Sequence, residues 1–227
     1  WGMGASAASF DVDNAFLPAA QQLFDEEFGL SLWWMKSSTF ESFVSEILDH
    51  IHATLFLHPR TGLWNLKLLR DDYDVETLRV ISPSNAKLTN LQRKAWGEAS
   101  NEIVVSFTNP ENEKEESVTA QDLASIAMQG GIVSSGRNFY AIRNGTLAAR
   151  VAERELRATG YPFAAVDVEM DRTGWDLLPG EPCILHWPEK GIESMVIRAG
   201  PVNYGQPGSG AVRFSAFEDI FSLGSAE

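Results

Sequence analysis

The chain has 227 residues, a formal net charge of -13, 44% hydrophobic residues and a single cysteine, Cys183. This length suits one large domain or two small ones, and the negative charge argues against nucleic acid as the main partner, because phosphate binding needs clustered Lys and Arg. A lone cysteine excludes an internal disulfide and a multi-cysteine zinc site. No apolar run approaches the length that spans a membrane. Because the sequence begins at Trp1, we expect it to be part of a longer protein.

The N-terminal part is predicted to hold one helix before a pair of tryptophans. Residues 1–29 should form a linker and a helix over residues 16–28. A short strand follows over residues 30–35 and includes Trp33 and Trp34. Because adjacent residues on a strand face opposite sides, at least one of these rings should pack in a core. An exposed pair would instead suit sugar stacking or a partner surface.

Residues 30–97 are predicted to form an α+β lobe, in which a helix covers a β-hairpin. The helix should run over residues 39–52, because Ser38 and a glutamate three residues later make a capping box and apolar residues then recur at helical spacing. Two strands follow over residues 54–58 and 63–69, joined by a turn that contains Pro and Gly.

Residues 98–227 are predicted to form a small antiparallel β-barrel-like domain with two inserted helices. The helices are expected over residues 120–129 and 145–159, where Thr119 and Asn144 can cap them. The strands should share one sheet that closes as a barrel, and they are expected over residues 101–108, 161–170, 183–187, 192–199 and 211–217.

The clearest hairpin signal lies in residues 174–200. Pro179-Gly180 is a turn signal, and an apolar run follows it. A break at residues 188–191 separates this run from a second one that is rich in β-branched residues. No comparable pattern marks residues 81–97, which are predicted to be irregular.

Few of the polar side chains have the sequence spacing that catalysis or metal binding requires. The acidic stretch at residues 71–74 could bind a cation, but it lacks the EF-hand pattern, which favours a solvated turn. Glu46 and His50, four apart on the predicted helix, could face one metal ion or form a surface hydrogen bond. Cys183 and His186, three apart on a strand, should face opposite sides, so the thiol has no activating neighbour. We therefore expect no catalytic, cofactor-binding or metal-binding residues.

A set of stretches, in this order and spacing, resembles one protein family. They lie at residues 28–33, 40–48, 60–62, 68–74, 95–98, 101, 118–122, 151–156, 175–181, 191–198 and 218–221. The family is that of tail hub and tail-tip proteins of bacteriophages and gene transfer agents. It includes the lambda-type tip attachment protein and the host-specificity protein of gene transfer agents.

The resemblance implies a structural role in a tail. Proteins of this family form trimeric rings at the distal end of the tail tube, and they pair small β-barrel domains with an α+β domain. The chain is then expected to be a non-enzymatic part of the virion tail, made in the bacterial host cytoplasm. Its expected partners are further copies of itself, as a trimer, and other tube and tip proteins. Nucleic acid and membranes are not expected partners.

Two alternatives to this structural role remain open. A carbohydrate-active domain of a tail protein would need two carboxylates that converge in a cleft beside exposed aromatic rings. A glycan- or receptor-binding domain would use exposed, coplanar rings of Trp33, Trp34 or Trp187.

Overall fold

The computed structural model describes residues 6–32, 39–93, 95, 99–206, 208 and 210–224. Within them the fold is α+β. The helices are α1 (Leu17–Asp25), α2 (Phe40–Ile51), α3 (Leu123–Gln129) and α4 (Gly145–Gly160). The strands are β1 (Ala53–Leu57), β2 (Trp64–Leu68), β3 (Arg79–Ile81), β4 (Ala86–Arg93), β5 (Glu102–Thr108), β6 (Glu115–Gln121), β7 (Ser134–Asn138), β8 (Ala164–Met170), β9 (Pro182–Trp187), β10 (Ile192–Asn203) and β11 (Val212–Glu218). No described helix is both long enough and apolar enough to cross a membrane.

The chain divides into two compact units, each built from separated segments. The first unit comprises Trp1–Ala19, His52–Arg93 and Phe163–Glu227, and the second comprises Ala20–Ile51 and Lys94–Pro162. The predicted domains ran consecutively along the chain and have other boundaries. The difference arises because strands that are far apart in sequence share one sheet.

A six-stranded sheet forms the larger part of the first unit. Its order is β3-β9-β10-β11-β8-β4, with β3 parallel to β9 and the other neighbours antiparallel. Buried and half-buried residues alternate along β8, as a sheet with one apolar face requires. The core side chains on that face include Ile81, Val166, Val168, Leu185, Ile197, Val212 and Phe214.

The sheet curls but does not close in the described part of the chain. Its outer strands, β3 and β4, are not hydrogen-bonded to each other, although a tight turn joins them. In that turn Asn85 Oδ1 accepts a hydrogen bond from the Ser82 amide at 2.9 Å, and the Ser82 carbonyl accepts one from the Ala86 amide at 3.0 Å. The result is a half-barrel with two free strand edges.

A separate three-stranded sheet lies in the second unit, with the order β6-β5-β7. Its buried face packs on α4, and the shared core includes Ile103, Val105, Phe107, Leu147, Ala148 and Val151. The prediction that residues 101–108 join the later strands in one barrel is therefore wrong. Strand β5 takes its hydrogen-bond partners from residues 115–121 and 134–138 instead.

Two local predictions are corrected by these strands, and one strand was not predicted at all. Residues 81–97 are not irregular throughout, because residues 86–93 form β4, whose exposed edge gives it a largely polar sequence. Strand β7 consists of small and polar residues, so no hydrophobic alternation marks it. Thr119 does not cap a helix, because it lies inside β6. Helix α3 begins later, and Asp122 caps it by accepting a hydrogen bond from the Ser125 amide.

The α2 helix and the β1–β2 hairpin are both confirmed as elements, but they belong to different units. They therefore do not make up one α+β lobe. Thr39 Oγ1 accepts a hydrogen bond from the Ser42 amide at the start of α2, and Ser38 lies outside the described residues. Residues 30–32 form no strand, and residues 33–35 also lie outside the described part.

Other predictions are confirmed in detail. Strands β9 and β10 form the expected antiparallel hairpin, with Gly191 in the left-handed region at the end of the connecting turn. Asn144 caps α4 by accepting a hydrogen bond from the Thr146 amide at 2.8 Å. Gly130 ends α3 in the left-handed conformation typical of a C-terminal cap.

Candidate functional site

His50 is a buried structural residue of the second unit, only 2% exposed. Its Nδ1 lies 2.6 Å from the carbonyl oxygen of Glu46, and its Nε2 lies 3.4 Å from the amide nitrogen of Ala141. Because the amide can only donate, Nε2 accepts and Nδ1 donates, which makes the imidazole neutral. The rings of Phe139 and Tyr140 pack edge-on against it, with centroids 5.1 and 5.6 Å away. With both nitrogens engaged, His50 offers no lone pair to a metal ion.

The surroundings of His50 disfavour its charged form. Burial lowers the pKa of the imidazole below its ordinary value of 6.5, and the nearby Arg154 cation acts in the same direction. The carbonyl of Glu46 and the carboxylates of Glu46 and Asp49 oppose this shift without reversing it. The ring is therefore held neutral over a wider pH range than a free histidine.

Cys183 and His186 face opposite sides of β9, as predicted. Cys183 is fully buried, and burial raises the pKa of its thiol to about 12. His186 is half-buried and its Nδ1 lies 2.6 Å from the Glu193 carbonyl oxygen across the hairpin. A thiol of this pKa is not a nucleophile at neutral pH, because the thiolate is the reactive form.

The acidic stretch at residues 71–74 forms a solvated turn. Asp74 Oδ1 accepts a hydrogen bond from the Glu76 amide at 3.0 Å and so caps a short 3-10 helix. Asp71 and Asp72 are exposed. Across the described part of the chain, no group of three or more His, Cys, Asp and Glu side chains is arranged to hold a metal ion.

The tryptophans considered for glycan binding are either buried or outside the described residues. Trp187 is 7% exposed and packs in the core of the six-stranded sheet, while Trp33 and Trp34 lie outside the described residues. Trp64 and Trp175 are 38% and 45% exposed, and the Arg60 guanidinium carbon lies 4.4 Å from the ring centroid of Trp175. The guanidinium covers a ring face that a sugar would need.

A buried ion pair between Arg198 and Asp219 joins several segments of the first unit. Arg198 Nη2 lies 2.7 Å from Asp219 Oδ2. The same guanidinium donates to the carbonyl oxygens of Gly180, at 3.1 Å, and Arg70, at 2.9 Å. Burial and a hydrogen bond to Asp219 raise the pKa of the Tyr73 phenol, whose ring lies 5.5 Å from the Arg198 guanidinium carbon. Sequence spacing gave no signal for this cluster, because its members come from four separate stretches.

An open cleft of about 820 Å³ lies at one end of the half-barrel. Leu91, Ile192 and Met195 give it apolar walls. Arg93 and Glu218 also line it, paired at 3.0 Å, and Glu218 accepts a second hydrogen bond, from the Ala164 amide. No aromatic side chain is among the described residues that line the cleft. It therefore lacks the stacking platform that a glycan site needs.

Apolar side chains remain exposed on the second unit. Leu123 and Met128 of α3 are 72% and 73% exposed, and Ile132 and Val133 follow in the next loop, also exposed. These four large apolar side chains, close together in sequence, are thus exposed to solvent in the described part of the chain.

Comparison with known proteins identifies the family of the chain. The family described as "Putative phage tail protein" matches residues 41–199, which is more than half of the sequence. The chain belongs to this family of phage tail proteins. None of the curated proteins matches the chain.

Two solved structures share the fold of this phage tail protein. A chain from the virion of a native gene transfer agent (GTA) particle matches with a TM-score of 0.59 and 12% identity, over 96% of this chain and 53% of that one. The tail protein from Neisseria meningitidis MC58 matches with a TM-score of 0.54 and 12% identity, over 83% of this chain and 57% of that one. The chain therefore spans a little over half the length of either relative.

Proposed function

We propose that this phage tail protein is a structural component of the distal tail, at the hub or tip, where it connects the tail tube to the tip or receptor-binding parts. The observation that carries the proposal is the family match over residues 41–199. The likeness in fold to a chain of a gene transfer agent virion supports it. The protein would be made in the bacterial host cytoplasm and then built into the virion tail.

The proposed mechanism is assembly rather than catalysis. Copies of the chain, expected to number three, would associate around the tail axis through a head-to-tail interface, since only such an interface closes into a ring of that symmetry. The exposed apolar side chains of α3 and the loop after it are consistent with a surface that becomes covered on assembly. Other tube and tip proteins would be the further partners.

We assign no catalytic, cofactor-binding or metal-binding residues. Cys183 and His50, the side chains considered for catalysis and metal binding, act as structural residues, because both are buried among core side chains. The alternative of a carbohydrate-active or glycan-binding domain finds no support at Trp187, whose ring is buried, or in the cleft beside Glu218.

Labelling of intact particles tests this proposal. An antibody raised against the chain, carried on gold, would be bound to tails purified from the bacterium that encodes it and viewed by electron microscopy. We expect one label cluster per particle, at the end of the tail distant from the head. An antibody against the tube protein serves as the control and should label the whole length. Label along the whole tail, or none on particles, would contradict the proposal.

A further inference from the structure

We propose that the edge strand β4 of one copy pairs with the edge strand β6 of a second copy, so that the six-stranded sheet of one subunit continues into the three-stranded sheet of the next. The inference rests on the self-association proposed above and names the surfaces that carry it. Because β4 and β6 belong to different sheets, the contact is head-to-tail: in a pair of copies, one keeps a free β6 and the other keeps a free β4 for the next neighbour.

Strand β4 presents a long free edge. In the described part of the chain, β8 is the only strand hydrogen-bonded to β4. Alternate residues of this eight-residue strand therefore point their backbone N–H and C=O groups to an outer side that no described strand pairs, which is a template for another strand. The edge carries Lys87 and Arg93 and no acidic residue. Glu218 pairs with Arg93, whereas Glu169, opposite Lys87 on β8, lies 2.7 Å from Arg213.

Strand β6 presents a matching edge. Its only strand partner in the described residues is β5, and α4 packs on one face of that sheet. It has seven residues, one fewer than β4, so both edges run about 25 Å. Glu115 and Glu116 stand at its start, and Gln121 at its end pairs with Glu102 on β5. No cationic residue lies on β6.

Charge complementarity selects this pair of edges. Both ends of β4 carry a cation, and two acidic side chains, Glu115 and Glu116, lie at one end of β6. A full overlap of the two strands therefore brings opposite charges together whichever way the strands run. The net charge of -13 opposes association at long range, but contacts within a Debye length are decided by the local charges.

The outer edges of the other described end strands, β1, β2, β3 and β7, fit less well, because none of these strands has more than five residues. Strand β3 has only three residues, so it offers a short ladder. Strand β7 carries one charge, Arg137, and that guanidinium is 3.6 Å from the carboxylate of Glu155. Arg79 on β3 is also held by an acid of its own chain, Asp176 at 2.8 Å, and pairing through either strand would leave Lys87 of β4 without an acidic partner.

Cross-linking of variants that each carry one added cysteine tests the contact between β4 and β6 directly. Asn90→Cys places a thiol midway along β4 and Thr119→Cys places one midway along β6, both at exposed positions, while the native Cys183 is fully buried. Paired strands lie about 5 Å apart, so a short bismaleimide should join the two variants when they are mixed. We expect a cross-linked dimer in that mixture and at least several-fold less when Glu153→Cys, exposed on α4, replaces Thr119→Cys. Equal yields in the two mixtures would overturn the proposal.

Charge reversal gives a second, independent readout by sedimentation at protein concentrations up to about 1 mM, the range of weak specific contacts. Lys87→Glu should weaken association about tenfold, since an attraction to a β6 acid becomes a repulsion. Lys190→Glu, which makes the same change at an exposed turn, should leave it near the native value. The native association should also weaken as salt rises.

The outcomes separate this inference from the proposed function. Association that survives Lys87→Glu unchanged and gives no specific cross-link would place the contact on another surface and overturn the strand pairing, while the tail role would stand. A monomer at every concentration would overturn the pairing as well. Failure of the antibody to label tail ends would instead remove the proposed function itself.

Discussion

Two adjacent carboxylates at the end of β11, Glu218 and Asp219, pair with arginines that lie in opposite surroundings. Asp219 is 3% exposed and pairs with an Arg198 side chain that is 9% exposed, whereas Glu218 pairs with Arg93, which is 53% exposed. In water, attraction between ions is weak and costs side-chain entropy, so an exposed pair contributes little. In the interior, an ion left without its partner is costly.

Removal of the buried carboxylate should therefore destabilise the protein far more than removal of the exposed guanidinium. We expect Asp219→Ala to lower the free energy of unfolding by about 3–5 kcal/mol, because Arg198 keeps its charge with no counterion. Arg93→Ala should cost no more than about 1 kcal/mol. Urea unfolding of the two variants and the native protein measures both values. Similar losses in the two variants would mean that the buried pair is not what stabilises this cluster.

The neutral state of His50 links stability to pH. Its pKa is lowered in the folded protein, chiefly by burial, and returns to about 6.5 on unfolding. Below about pH 6.5 the unfolded chain therefore binds a proton that the folded chain does not bind until lower pH. Stability contributed by the neutral ring is complete above that pH and is lost as the pH falls towards the folded-state pKa.

We predict that the free energy of unfolding decreases between about pH 7.5 and pH 5.5, with a slope of up to about 1.4 kcal/mol per pH unit from this one group. His50→Gln keeps a donor and an acceptor but cannot titrate, so its pH profile should be flatter. His58→Gln is the control, because His58 is only half-buried and lies beside the turn of the β1–β2 hairpin, where its Nδ1 accepts a hydrogen bond from the Arg60 amide. A native slope retained in His50→Gln would assign the dependence to other groups.

At the scale of single elements, the turn before β9 depends on a glycine. Gly180 has φ of +80°, and a Cβ built on it would lie 2.9 Å from Thr54 Cγ2 and 3.0 Å from Leu69 Cδ2. Its amide also donates to the Ala199 carbonyl oxygen at 2.7 Å, which fixes the turn against β10. A side chain here would meet both an unfavourable backbone conformation and close neighbours.

Gly180→Ala should therefore cost about 2–3 kcal/mol of unfolding free energy, in which backbone strain and overpacking combine. Gly62→Ala separates the two effects, because Gly62 has φ of +67° but a Cβ added to it would meet nothing within 4 Å. In that variant the free energy of unfolding should fall only by the backbone strain, about 1 kcal/mol. Thermal or urea unfolding of both variants makes the comparison. Equal costs would show that the contacts to Thr54 and Leu69 relax freely.

Helices and strands were predictable from sequence where the local sequence pattern matched the burial of the element in the folded protein. The β9–β10 hairpin and α4 have turn residues, caps and apolar periodicity that all indicate the same structure. Strands β4 and β7 lack that agreement, because they lie at sheet edges and few of their side chains are buried. Hydrophobic residues alternate along a strand only where one of its faces is buried. This pattern therefore does not identify an edge strand whose side chains are mostly polar.

At the scale of the whole molecule, sheet membership was the part that sequence could not supply. Periodicity predicted β5 correctly as a strand, but nothing in residues 101–108 shows which neighbours they will pair with. One partner of β5 ends in a stretch that was predicted as helix, and the other comes from a stretch without strand signal. The same limit applied to the candidate site. The sequence showed that no known catalytic or metal-binding motif is present, but it could not show the Arg198–Asp219 cluster, whose residues come from four distant segments.

The interleaving of the two units sets an order of events during synthesis. All residues of the second unit have been made once Pro162 is added, so its three-stranded sheet and α4 can form while the ribosome is still working. Strand β4 is made much earlier than β8, its hydrogen-bond partner, and β3 must wait for β9. The basic edge strand β4 is thus translated well before the strand with which it pairs. In the nascent chain, residues 79–93 stay without a sheet until the C-terminal third emerges, which makes this segment the one most in need of protection on the ribosome.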